Sequence, residues 1–308
     1  MPAWSVPDTL GAVAARLRCP HCGAPLAVSD RTLTCARGHA FDVARQGIVA
    51  LLPPRGTVAR GDSAAMVAAR AAFLDAGHYA PITRALVAAA GGGGPAPGAV
   101  AALAVPPNAA GGRLVVDLGA GTGHHLAAVL DDFEGSHGVA LDASRHALRR
   151  AVRAHPRIAA VVGDVWREIP VQDGAADLVL DVFAPRHGAE IARVLAPGGA
   201  FVVLSPTPSH LRALVDALGM VRVDADKEER VRATLTPHLT ATASESIEFA
   251  MRLPHADVRA LVAMGPTAHH VDADELDRRL AALPEPVDVT ASVRVDIFRP
   301  GQGITAAR

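Results

Sequence analysis

Apolar and polar positions divide the chain into a long strand–helix alternation and a shorter-period region ahead of it. Leu114-Val115-Val116-Asp117-Leu118 is a nearly continuous apolar run that ends in Gly119-Ala120-Gly121-Thr122-Gly123. A run of this kind reads as a strand buried on both faces, and Leu126, Val129 and Leu130 continue it into an amphipathic helix. Further strands are expected over 138–142, 159–164, 176–183 and 200–204, the last after the helix stop Ala196-Pro197-Gly198-Gly199. Alternation of this type predicts a doubly wound parallel sheet. Two late strands, 247–253 and 292–298, are expected to close it as an antiparallel pair, for seven strands in all. Near the N-terminus, 26–28 and 32–34 read as two short strands around the turn Ser29-Asp30-Arg31. The expected organisation is a small β module over 1–55, a helical connector with a Gly/Pro-rich insert over 56–112, and the α/β domain over 113–308.

Composition narrows this picture. Half of the 308 residues are apolar and 20% are charged, which supports a sizeable core and excludes disorder for the bulk of the chain. No continuous apolar stretch approaches the roughly 18 residues of a membrane span. The first residues also lack a basic segment followed by an apolar run, so a cytoplasmic protein without a membrane partner is expected. Charge is unevenly placed: residues 1–60 carry seven Arg and three Asp, or +4, within a chain whose net charge is −1. An anionic partner would be met at the front.

The only three cysteines, Cys19, Cys22 and Cys35, fall in one short window. With His39 they read C-x2-C-x12-C-x3-H. Tetrahedral zinc needs four soft or borderline ligands converging from two turns, and two short chelating pairs separated by a hairpin supply them. His21 is the rival fourth ligand, but it lies inside the first knuckle, and His39 is preferred. Four protein ligands leave no open position, so the expected zinc is structural. If zinc holds all three thiols, none remains as a nucleophile.

The turn after the first long strand reads D-x-G-x-G-x-G, from Asp117 through Gly119 and Gly121 with Thr122 to Gly123. A glycine-rich turn alone would also suit a dinucleotide. The acid inside the strand end points instead to S-adenosylmethionine, which needs no phosphate cradle. Asp142 ends the next strand and is placed to grip ribose hydroxyls. Asp164 ends the third and is placed to accept from an adenine amino group. The fold expected is α/β, a class I S-adenosylmethionine-dependent methyltransferase with a Rossmann-like sheet behind a small zinc-binding β module.

Two segments between the cysteines and the sheet are distinctive: Gly61-Asp62-Ser63, and Phe73-Leu74-Asp75-Ala76-Gly77-His78-Tyr79. Together with the knuckles and the glycine turn, they closely resemble the 23S ribosomal RNA guanine-N1 methyltransferases. That family includes members that confer resistance to tylosin-type macrolides. The resemblance spans nearly the whole chain. It implies zinc on Cys19, Cys22, Cys35 and His39, a 23S rRNA partner, and cofactor contacts from Tyr79, from Gly121 with Thr122, and from His210. The resemblance also implies a dimer that embraces one RNA hairpin. Where many of them carry G-Y-V-N-L-L, this chain has Gly47-Ile48-Val49-Ala50-Leu51-Leu52 and so lacks a Tyr and an Asn.

The implied reaction moves a methyl group to N1 of a guanine in a hairpin loop, and in-line placement of two reactants is worth roughly 7–11 kcal/mol. Asp181, His187, Glu190 and His210 are candidates for a base, with Asp181 preferred for its place near the end of the fourth strand. Flanking phosphates are expected to meet Arg16, Arg18, Arg31, Arg37 and Arg45. Two other readings fit the same motifs. One is a small-molecule methyltransferase with a structural zinc module, and the other is an RNA-binding module with a decayed cofactor site.

Overall fold

A computed structural model of the chain describes residues 6–54, 61–91, 112–221, 232–265, 267 and 272–301. The Gly/Pro-rich insert lies, apart from its two ends, outside the described residues. The N-terminal module opens with helix α1 (Asp8–Val13) and contains strands β1 (Leu26–Ser29), β2 (Thr32–Cys35) and β3 (Ala40–Asp42). These form an antiparallel sheet in the order β1-β2-β3. Asp30, at φ 50°, turns the chain between β1 and β2 at the expected place.

The connector supplies α2 (Ala64–Asp75) and α3 (Ala80–Ala89). Ser63 caps α2 by accepting the Met66 N–H, and a proline stands in the first turn of α3 where no N–H is needed. The remaining strands are β4 (Ile48–Ala50), β5 (Leu114–Leu118), β6 (His137–Asp142), β7 (Ile158–Val162), β8 (Ala176–Val182), β9 (Leu195–Pro206), β10 (Leu239–Leu253) and β11 (Val287–Pro300). They form one sheet in the order β10-β11-β9-β8-β5-β6-β7-β4. Helices α4 (His124–Asp132), α5 (Arg145–Ala154) and α6 (Gly188–Val194) connect the parallel strands, α7 (Arg212–Leu218) follows β9, and α8 (His255–Ala263) and α9 (Ala273–Ala281) join β10 to β11.

The class I methyltransferase sheet is present, with the antiparallel pair β10–β11 at one edge as expected. Among the described residues it has eight strands rather than seven. The extra one is β4, which pairs parallel with β7 through Ile48↔Ala160. Its Ile48 and Val49 are buried on opposite faces of the sheet. Ile48 is therefore a core residue in this chain.

The module is docked rather than tethered. Leu17 bridges Val171, and the Gln172 amide donates to the carbonyls of Leu17 and Gly23 at 3.1 and 3.2 Å. Arg18 reaches Glu168 at 2.5 Å and Asp173 at 3.2 Å, while Arg16 lies 3.8 Å from Asp177. Both arginines thus pair with acids of the α/β domain. Arg31, Arg37 and Arg45 are exposed. One apolar core runs from Leu10, Leu17, Leu26 and Leu33 into Val116, Val139 and Val179 of the sheet. Among the described residues, no helix is long and apolar enough to cross a membrane.

Candidate active site

Among the described residues, two places gather chemistry-bearing side chains. The first is the end of the N-terminal module, where Cys19, Cys22, Cys35 and His39 bring their donor atoms within 4.8 Å of one another. Each knuckle is a tight turn. The N–H of Gly23 bonds the carbonyl of Cys19 at 2.8 Å, and that of Gly38 bonds Cys35 at 2.9 Å. Both glycines have φ near +80°, a conformation that side chains resist. The Sγ atoms of Cys22 and Cys35 are 3.6 Å apart, and His39 Nδ1 lies 3.6 Å from Cys19 Sγ and 3.4 Å from Cys35 Sγ. Those edges match ligands about 2.0–2.3 Å from one central ion and are far too long for a disulfide of about 2.05 Å. The donor set therefore fits structural zinc. His21 instead lays its ring against His39, 5.0 Å between centroids, and edge-on to Phe41 at 5.4 Å.

The second place is a cavity of about 690 Å³ at the carboxyl ends of the parallel strands. It opens where β5 and β8 lie side by side and the strand order reverses, the usual binding crevice of a doubly wound sheet. The turn after β5 forms its floor. A Cβ on Gly119 would stand 2.6 Å from the Ala184 side chain, and one on Gly123 would stand 2.9 Å from the Ala151 backbone. Asp142 fixes this turn: Oδ2 accepts the Gly121 N–H at 2.9 Å, and Oδ1 accepts the Ser144 N–H at 2.7 Å. Burial raises its carboxyl nonetheless. Asp117 is raised well above the carboxylate range, first by burial and then by the charges of Asp181 and Asp142. Asp164 accepts the Trp166 N–H at 3.0 Å, and the indole of Trp166 stands 60% exposed at the rim.

The connector closes the roof and shows why its two distinctive segments are shaped as they are. A Cβ on Gly61 would fall 2.5 Å from the Ser144 backbone nitrogen, and Ser144 Oγ donates to the Asp62 carbonyl at 2.7 Å. Asp62 also holds Arg70 at 2.5 Å, and Arg70 donates to the Met264 carbonyl at 2.8 Å. His78 pairs with Asp257 of α8 at 2.7 Å. Next to it, the Tyr79 hydroxyl lies 3.2 Å from His210 Nε2. The Ser292 N–H donates to His210 Nδ1 at 3.2 Å, so neutral His210 carries its proton on Nε2 and donates it to the tyrosine oxygen. Burial pulls His210 down to about 4 and His125 down to about 3, and it raises the Tyr79 hydroxyl. The rings of Tyr79, His210 and Phe183 lie 5.7–6.3 Å apart by centroid, an electron-rich wall suited to a sulfonium.

Tyr79, Asp117, Gly119, Gly121, Thr122, Asp142, Asp164 and His210 thus all line one cavity. Asp181 does not. It is fully buried behind the wall, with Oδ1 accepting the Ala184 N–H at 3.2 Å and lying 3.4 Å from Arg186. A group in that position holds a loop and an arginine in place. Glu190 is committed to Arg193 at 2.6 Å and His187 caps α6, so of the four candidate bases only His210 faces the cavity. Sequence reasoning missed Arg70, His125, Phe183, Arg186, Arg294 and Asp296, all of which line the cavity.

Comparison with known proteins follows the same division. A family model described as "RlmA, N-terminal" matches residues 17–56, and one described as "Methyltransferase domain" matches residues 115–199. The chain is 51% identical to the 23S rRNA (guanine(748)-N(1))-methyltransferase of Streptomyces fradiae, across 92% of this chain and 96% of that protein. It is 48% identical to a Micromonospora griseorubida protein provisionally named as a 23S rRNA (guanine-N(1)-)-methyltransferase, across 92% and 97%. A Bacillus subtilis protein with the same provisional name is 27% identical across 91% and 95%.

Proposed function

The chain belongs to the 23S rRNA (guanine-N1)-methyltransferases, and from that premise we propose that it transfers a methyl group from S-adenosylmethionine to N1 of a guanine in a 23S rRNA hairpin loop. The guanine meant is the one numbered 748 in the name of the Streptomyces fradiae relative. In the cell this activity would act in the cytoplasm as a determinant of resistance to tylosin-type macrolides. The carrying observation is the cavity at the β5–β8 crevice, where the glycine cradle, Asp142 and the Tyr79–His210 pair converge.

On this reading the cradle and Asp142 hold the cofactor's ribose end, and Asp164 with Val165 faces its base. Tyr79, Phe183 and His210 surround the end where the methyl group is donated. S-adenosylmethionine supplies an electrophilic methyl when bound, and the chain supplies alignment and exclusion of water, the largest contributions available to such a transfer. Residues 1–55 form the zinc-binding RNA-recognition module, whose Ile48–Ala50 segment adds a strand to the sheet, 56–112 the connector, and 113–308 the methyltransferase domain. Exposed Arg31, Arg37 and Arg45 grip phosphates flanking the target base, which must be splayed out of its loop to enter. A dimer that embraces one hairpin belongs to the same reading.

The test is incubation of the zinc-loaded protein with a 23S rRNA transcript and S-adenosylmethionine labelled in its methyl group. After complete nuclease digestion, the label is expected in 1-methylguanosine. Label in another nucleoside, or none in RNA, would refute the reading.

A further inference from the structure

The cofactor-facing loops account for only part of the cavity wall. Beside them lies a charged patch built on the sheet itself. Arg294, Asp296 and Phe298 of β11 alternate with Val293, Val295 and Ile297, so the first three share one face. Register carries that face across β9, where Arg294 lies opposite Ser205, Asp296 opposite Val203 and Phe298 opposite Phe201. Arg186, from the loop after β8, completes the patch by donating to Ser205 Oγ at 3.1 Å. Asp296 is 5% exposed, with Oδ2 receiving the Arg294 Nε–H at 2.9 Å and Oδ1 lying 3.7 Å from Arg232. Burial of ions against Val203 and Phe298 is weak as a source of stability, so their place on a cavity wall asks for another explanation.

Chemistry offers one. The Watson–Crick edge of guanine presents the O6 acceptor beside the N1–H and N2–H donors, whereas adenine presents a donor and then an acceptor. A carboxylate only accepts and a guanidinium only donates, so the two side by side can take N2–H and O6 of guanine, and adenine has no 2-amino group to offer the carboxylate. A stacking face stands nearby in Phe183, which is 40% exposed on the cavity wall with φ +57°. A bulky residue in that conformation is strained, and such strain gathers at binding and catalytic positions. Resting on the methylation reading above and deepening it, we infer that Asp296, oriented by Arg294 and Arg232, accepts a hydrogen bond from the exocyclic N2 amino group of the target guanine and makes the cavity selective for that base. Arg186 is the donor on the same wall for O6, and Phe183 offers the ring against which the splayed base packs.

The experiment compares two hairpin transcripts, one with guanine and one with inosine at the target. Inosine keeps O6 and N1–H but lacks the 2-amino group. Wild-type protein is expected to lose about 10- to 100-fold in kcat/KM on the inosine RNA, the span of a missing hydrogen bond to a charged acceptor. Asp296→Ala, which removes the acceptor, is expected to be slow on guanine RNA and to treat the two RNAs alike. Asp296→Glu, which keeps the acceptor, retains a preference for guanine and separates recognition from a general disturbance of the buried patch. Equal wild-type rates on both RNAs overturn the inference whatever the variants do. An active Asp296→Ala protein with the wild-type preference does the same. Should wild-type protein methylate neither RNA, the reading of the cavity fails, and the inference falls with it.

Discussion

The metal cluster and the cavity are built from the chain in opposite ways. All four donors of the cluster come from residues 19–39, on two turns joined by one hairpin. The cavity draws on residues from Gly61 to Phe298, and neighbours such as Tyr79 and His210, or Arg70 and Met264, are more than a hundred residues apart. A local site can form around an ion before the rest of the fold exists. A distributed one exists only when every strand is in register and the connector is seated. The difference predicts which perturbations stay local and which spread.

The largest effect should come from the cluster. Structural zinc contributes on the order of 10 kcal/mol of folding free energy to a small module. Cys35→Ala, or removal of the metal by a chelator, is expected to abolish hydrogen-exchange protection across 17–43 while β5, β6 and β8 stay protected. Concurrent loss in the sheet would show that the shared core makes the two regions one cooperative unit, and would break the comparison.

A smaller effect is expected at the cavity floor. Gly119→Val sets a side chain against Ala184 at φ +68°. Overpacking and backbone strain, at about 1–3 kcal/mol each, should weaken S-adenosylmethionine binding about 100-fold by calorimetry. Zinc content should remain at one per chain, and a coupled loss of metal would contradict the separation drawn here.

The third perturbation acts on the module without unfolding it. Reversing Arg31, Arg37 and Arg45 to Glu is expected to weaken hairpin binding and to flatten the slope of log affinity against log salt by about one for each phosphate no longer gripped. Cofactor affinity should not move. An unchanged salt slope would send the RNA elsewhere on the surface.

The least effect concerns pH. His210 is held near 4 against about 6.5 when unfolded, so the unfolded chain binds more protons between those values. Its contribution to stability is therefore complete above the unfolded value and is lost as pH falls through that window. Asp117 and Asp142, raised by burial, act with the opposite sign. The useful quantity is thus the difference between wild type and His210→Gln in urea midpoint from pH 7 to pH 5. Wild type should lose more on acidification; identical pH profiles would show that His210 is not held neutral by burial.

Legibility in the sequence follows the same contrast. Cys19, Cys22, Cys35 and His39 could be assigned from spacing alone because their geometry is set by two turns. The glycine turn, Asp142 and Asp164 could be placed because each ends a strand whose apolar run is plain. Tyr79 and His210 came only from resemblance, since nothing local marks residues from separate segments as partners. Sequence puts Asp181 at a strand end without saying which face it occupies, and in the structure it is buried away from the cavity lining. β4 was missed because a three-residue strand has too short a pattern to read. The one available signal for Asp296 was overlooked: Arg294 and Asp296 alternate with apolar residues, as on a solvated face, but β11 lies inside the sheet with β9 and β10 on either side. Only the strand order shows that those charges face a cavity.

The most direct test of the account is primer extension on a 23S rRNA transcript treated with zinc-loaded protein and S-adenosylmethionine. An N1 methyl blocks Watson–Crick pairing, so reverse transcriptase should halt one nucleotide before a single guanine in the hairpin loop, and only when both protein and cofactor are present. Full-length extension, with S-adenosylmethionine shown to be bound, would contradict the account and turn attention to a small-molecule acceptor for the same cavity.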